Sequence, residues 1–205
     1  MADGTVRARC RRCGAEEDIP AWNIINAQEN PELRAELLEG KLFLWTCPRC
    51  GSDNLIKYPL LYHDPTQKLL LWLTDGVPEV EARMAETIAS EEGLQDYSAR
   101  IVDTPGEMME KIKIAEAGLD DVAMEICKYV TAQEMGKTDV DFKFFRLEGA
   151  DRRILLTYPE GGEMQVVGTG FSVYEDAAGI VGRNPELAVH GLVKVNADWL
   201  SQHIG

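Results

Sequence analysis

Histidine is scarce in this 205-residue chain: His63, His190 and His203 are the only three. No His-Glu-x-x-His pair occurs, which excludes the common helical zinc-hydrolase signature. There is no Gly-x-x-x-x-Gly-Lys-Ser/Thr loop for nucleotide phosphates and no Gly-x-Ser-x-Gly elbow for a serine nucleophile. Gly168-Thr-Gly170 lacks the third glycine of a dinucleotide fingerprint. No apolar run approaches the roughly 20 residues that a bilayer span requires. The opening residues, Met1 to Cys10, carry no apolar stretch of the secretory type, so a cytoplasmic setting is expected. Basic residues are also short, 21 against 35 acidic ones. The resulting net charge of −14 makes general nucleic-acid binding unfavourable, because phosphates repel such a surface.

What is present is a foldable composition with one strong chemical signal. Hydrophobic residues make up 45%, too many for intrinsic disorder. The charge is uneven: residues 1–75 hold 9 Lys/Arg and 11 Asp/Glu, and the remainder 12 and 24. Four of the five cysteines form two short motifs, Cys10-Arg-Arg-Cys13-Gly14 and Cys47-Pro-Arg-Cys50-Gly51. Two Cys-x-x-Cys turns bring four thiolates into a tetrahedron, the arrangement zinc prefers with soft ligands. The Gly after each pair takes a positive φ without steric cost, which lets backbone N–H groups approach the sulfurs. A four-cysteine site has no open coordination position, so its metal is structural rather than catalytic. Four thiolates around Zn²⁺ leave a charge of −2, which Arg11, Arg12 and Arg49 could offset. The competing reading of two disulfides needs an oxidising compartment. Cys127 falls on an apolar helical stripe and is expected to be a buried structural thiol.

The 33 residues between the two cysteine pairs carry structure of their own. Asn30-Pro31-Glu32-Leu33 starts a helix ending near Gly40, and 41–46 reads as a strand entering the second motif. Strands are expected over 54–62 and 68–73. Residues 1–75 therefore read as a zinc ribbon, with rubredoxin-like knuckles and an inserted helix. Residues 76–137 read as a helical segment. Thr104-Pro-Gly-Glu107 forms a capping box there, and Asp120-Asp121 opens a further helix. Helix capping is the favoured role for that aspartate pair over acid–base chemistry. Residues 138–205 read as a β-rich segment expected to pack with the helices, with strands over 153–158, 164–174 and 192–195, a short helix over 175–181 and a terminal helical turn over 198–203. The fold class is α+β.

The run Asn30-Pro-Glu-Leu, Leu38-Glu-Gly40-Lys-Leu-Phe, Cys47-Pro-Arg-Cys50-Gly and then Pro59-Leu-Leu-Tyr62-His-Asp64 resembles the bacterial and archaeal CpXC domain family. The resemblance covers residues 5 to about 75, and Glu107–Lys128 also resembles sequence found in longer members. The first motif departs from the family pattern in having Arg11 where proline would stand. The resemblance implies a zinc-bearing domain in a prokaryotic cytoplasmic setting and supplies no reaction. The expected function is a zinc protein with a structural site at Cys10, Cys13, Cys47 and Cys50. It would act as a cytoplasmic binding or regulatory module, with a protein partner and no membrane. The alternative is a rubredoxin-like, mononuclear iron electron carrier, since the same spacing suits one Fe. An enzyme site in the helical and β-rich parts, lined by residues such as Glu107, Asp120 or Tyr174, has no supporting constellation in the sequence.

Overall fold

In a computed structural model, which describes residues 2–204, the chain is α+β, with six α-helices and four separate sheets among those residues. It divides into two compact units, Met1–Met109 and Glu110–Gly205.

The first unit begins with a hairpin, β1 (Gly4–Arg9) and β2 (Glu16–Ala21), whose turn carries the first cysteine pair. A short strand β3 (Ile24–Asn26) leads to helix α1 (Pro31–Leu38). Pro31 opens the helix, where its missing N–H costs nothing, and Gly40 follows it at φ 73°. The stretch 41–46 is not one strand. Lys41–Phe43 makes a single 3-10 turn, and only Leu44–Thr46 is extended, as β4. It pairs with β5 (Asp53–Leu55) across the second cysteine turn. Then β6 (Leu60–Asp64) and β7 (Leu69–Leu73) form an antiparallel pair.

β7 is buried along its whole length, because its Leu-Leu-Leu-Trp-Leu sequence is apolar on both faces. It sits centrally in a sheet of order β3-β6-β7-β8, where β8 is Ser98–Val102. β8 lies inside the stretch that the periodicity assigns to helices. Its alternation is hidden by Arg100, a charged residue that is nonetheless buried. The parallel pairing of β7 with β8 requires a long connection, supplied by α2 (Pro78–Ser90). Helix α3 (Pro105–Glu116) starts at the capping box. Thr104 Oγ1 accepts the Glu107 N–H at 3.2 Å. Glu107 reaches back to the Asp103 N–H at 2.8 Å, one residue earlier than the standard box.

The second unit is built on α4 (Asp121–Met135), which packs against α5 (Phe171–Arg183) and α6 (Ala197–His203). On another side it meets a sheet of order β11-β10-β9: β9 is Lys143–Glu148, β10 Arg153–Glu160 and β11 Glu163–Thr169. Met124 and Cys127 from α4 share one core with Phe142, Phe144, Ile154, Leu156 and Tyr158. Residues 171–174 belong to α5 rather than to the preceding strand, and Leu192–Val195 forms no strand.

Between α3 and α4 lies a buried ionic network. Lys111 bonds Asp121 at 2.8 Å and Glu125 at 3.4 Å. Lys128 bonds Glu125 at 2.8 Å and Glu110 at 3.0 Å. Glu110 also accepts the Phe144 N–H at 2.7 Å and faces Lys143 at 3.5 Å.

Candidate metal centre

Two turns of matching geometry carry the four sulfurs. In the first, the Cys10 N–H donates to Ala15 O and the Gly14 N–H to Cys10 O, at 2.8 and 2.9 Å. In the second, the Cys47 N–H donates to Ser52 O and the Gly51 N–H to Cys47 O, at 2.9 and 2.8 Å. Gly14 and Gly51 sit at φ 69° and 66°, the left-handed conformation that each turn needs. The β1–β2 hairpin presents one turn and the β4–β5 ladder the other.

The two turns face each other. Cys10 Sγ lies 3.6 Å from Cys50 Sγ, and Cys13 Sγ lies 3.7 Å from Cys47 Sγ. All four sulfurs fall within 4.8 Å of one another. These separations are too long for disulfides, whose sulfurs are about 2.05 Å apart, and the cysteines are free thiols. They suit a tetrahedral ion: sulfurs about 2.3 Å from a common centre lie roughly 3.8 Å from each other. The cluster could therefore hold a metal ion. Cys10 and Cys47 are buried, while Cys13 and Cys50 are half-buried.

The electrostatics of the bare thiols point the same way. The Cys13 amide, together with that of Arg12, holds the Cys10 thiol down at about 6 against the effect of burial. The Ser52 amide favours the Cys50 thiolate, but burial and the thiols of Cys13, Cys10 and Cys47 push Cys50 up to about 12. Four thiols this close resist ionising together, and a cation removes that obstacle.

Two supporting residues were not legible as site residues. Asn54, buried in β5, accepts the Arg11 N–H at 2.9 Å and donates to Ser52 O at 2.8 Å, so it ties the first turn to the second. An Asn in a strand interior, where that residue is depleted, is the available sequence signal. This bond also gives a physical reason for the missing proline, since a proline at position 11 would have no N–H to offer Asn54. Trp45 packs with Ala8, Cys10 and Cys47 and donates its indole N–H to Glu17 at 3.1 Å.

The arginines divide into two groups. Arg7 is held by Glu16 and Asp18, and Arg9 lies 3.9 Å from Glu16, in cross-strand pairs of the hairpin. Arg11, Arg12 and Arg49 are exposed and have no ion pair among the described residues. The candidates outside the cluster are occupied structurally. Asp120 caps α4 by accepting the Ala123 N–H at 2.8 Å, and its own N–H donates to the Tyr174 hydroxyl at 2.7 Å. Asp121 belongs to the buried network, and Glu107 caps α3. Cys127 is buried, and desolvation pushes its thiol up to about 12, the state of an inert structural residue.

An α+β chain with two Cys-x-x-Cys turns meeting in a four-sulfur cluster is a protein built around a candidate metal site. The chain belongs to the CpXC family, whose model, described as CpXC protein, matches residues 8–128. That span takes in both cysteine turns, the four-stranded sheet and α4 as far as Lys128. Comparison with curated proteins and with solved structures returned no match.

Proposed function

We propose that this protein binds one Zn²⁺ at Cys10, Cys13, Cys47 and Cys50, and that the site is structural. The two cysteine turns then form a zinc ribbon with rubredoxin-like knuckles. The observation that carries this reading is the four-sulfur cluster itself, with separations close to the edge of a tetrahedral thiolate site. All four donors come from the protein, so no position is left for water or substrate, and the ion's contribution is folding free energy rather than Lewis-acid chemistry. Asn54 and the turn amides orient and stabilise the ligands.

The biological role we infer is that of a cytoplasmic binding or regulatory module with a protein partner. No helix among the described residues is long and apolar enough to cross a membrane. Two of the five arginines near the cysteines are taken up within the hairpin, which leaves Arg11, Arg12 and Arg49 to offset thiolate charge or to meet an acidic partner. Elemental analysis of protein expressed without added metal tests the reading. One zinc per chain is the expected result. One iron per chain, with the red colour of an iron–thiolate centre, would replace it with the electron-transfer alternative.

A further inference from the structure

The four cysteines of the metal centre are not equally placed. Cys10 and Cys47, the first of each pair, are buried at 1% and 0% exposure, whereas Cys13 and Cys50, the second of each pair, are half-buried. Exposed residues stand on both sides of the accessible two: Arg12 and Gly14 beside Cys13, Arg49 and Gly51 beside Cys50. Neither arginine has an ion pair among the described residues, so an uncompensated positive charge directly precedes each accessible cysteine. Partial exposure with positive charge nearby is the setting in which cysteines react.

The meeting of the two turns gives each accessible sulfur a buried neighbour. Cys50 Sγ lies 3.6 Å from Cys10 Sγ, and Cys13 Sγ lies 3.7 Å from Cys47 Sγ. Both contacts cross from one turn to the other, and both join a half-buried sulfur to a buried one. An accessible cysteine with a second thiol within reach is the arrangement of redox-responsive sites, in which one sulfur meets the oxidant and the other resolves it. The cluster holds that arrangement twice. Cys127, the fifth cysteine, is fully buried in the apolar core of the second unit.

We infer, on the zinc reading above, that the same site is also a peroxide-responsive switch: Cys13 and Cys50 take the oxidant, Cys47 and Cys10 resolve them, and zinc is exchanged for two disulfides that join the turns. A zinc-bound cysteine is already a thiolate, so no proton has to leave before it attacks. The Cys50 sulfur attacks one oxygen of hydrogen peroxide. An S–O bond forms, the O–O bond breaks and hydroxide departs, which leaves a sulfenic acid. The Cys10 thiolate then attacks that sulfur, so that the S–S bond forms, the S–O bond breaks and a second hydroxide departs. Cys13 and Cys47 react in the same way with a second peroxide. Four thiolates are oxidised to two disulfides, two peroxides are reduced to four hydroxides, and Zn²⁺ leaves because it has lost its thiolate ligands. Disulfides that cross between the turns keep them together after the ion has gone, so a dithiol reductant and zinc can restore the starting state.

The test treats the zinc-loaded full chain with about two equivalents of hydrogen peroxide, follows released zinc with a chromogenic chelator and counts thiols after denaturation. One zinc per chain should be released while the five thiols fall to one, that of Cys127. Trypsin cuts after Arg11, Arg12 and Arg49 and so separates the cysteines of each pair, which lets mass spectrometry read the pairing. Disulfides Cys10–Cys50 and Cys13–Cys47 are expected, and a dithiol reductant with one equivalent of zinc should return the metal to the protein. Zinc that stays bound with all five thiols intact would overturn the inference and leave the zinc reading standing. So would disulfides Cys10–Cys13 and Cys47–Cys50, or oxidation to sulfinic acid that the reductant does not reverse. A chain purified without zinc would overturn the zinc reading and the switch with it.

Discussion

Glu110 is where the buried charges of the second unit converge. Burial by itself would raise its pKa, but Lys128, Lys143, Lys111 and the Phe144 amide outweigh that and hold the carboxyl below its ordinary 4.5. Lys128 is likewise shifted up by Glu110 and Glu125, against its own desolvation. A carboxylate with a depressed folded pKa stabilises the fold above its unfolded pKa, and that contribution disappears as pH falls through the folded value. Acid titration followed by far-UV circular dichroism should therefore show the second unit losing stability as pH drops below about 4.5. Lys128→Met leaves Glu110 and Glu125 buried with one partner fewer and is expected to cost about 3–5 kcal/mol in a urea melt. At the candidate metal centre, the proposed zinc site predicts that Cys47→Ser abolishes stoichiometric metal and costs the first unit a contribution on the order of 10 kcal/mol. Trp45, packed on Cys10 and Cys47, makes its fluorescence the readout, and an unchanged spectrum would mean that the strands alone hold the turns.

At the scale of elements, the cysteine turns and helix ends were legible because they depend on neighbours in sequence. Pro31, Thr104-Pro-Gly-Glu107 and Asp120 start α1, α3 and α4 as local chemistry dictates, whereas Asn30 makes no side-chain cap bond to α1 and accepts the Asn26 N–H instead. The hairpin β1–β2 and strand β8 were not legible. Alternating Arg7 and Arg9 hide the strand character of β1, and their carboxylate partners, Asp18 and Glu16, arrive only with the pairing of β2 across the ladder. β8 exists because β7 offers it a parallel edge. Asp120→Ala removes the α4 cap and should destabilise by about 1 kcal/mol, whereas Asp120→Asn should cost little. Arg11→Pro restores the family's Cys-Pro-x-Cys spelling but removes the donor to Asn54. We expect it to lower stability by about 1–3 kcal/mol, measured by thermal unfolding of the zinc-loaded protein. A neutral or stabilising result would show that Asn54 finds another partner.

For the whole molecule, the charge count divides by unit. Met1–Met109 holds 11 Lys/Arg and 19 Asp/Glu, and Glu110–Gly205 holds 10 and 16, giving −8 and −6. Both units are acidic, and Arg7 and Arg9 already have carboxylate partners. Single-stranded RNA is therefore expected not to bind, even at low ionic strength. Tight binding that falls steeply with salt would show that Arg11, Arg12 and Arg49 act together as a phosphate site.

The sequence alone determined the candidate ligands, their pairing into two turns, the helix starts and the acidic character, because each rests on residue type at short spacing. Only the tertiary structure decided that the two turns meet, that Asn54 locks them together, and that Glu110, Lys111, Asp121, Glu125 and Lys128 share one buried network. Those outcomes depend on groups far apart in the chain, and the free energy of bringing them together comes from burial and pairing across the fold.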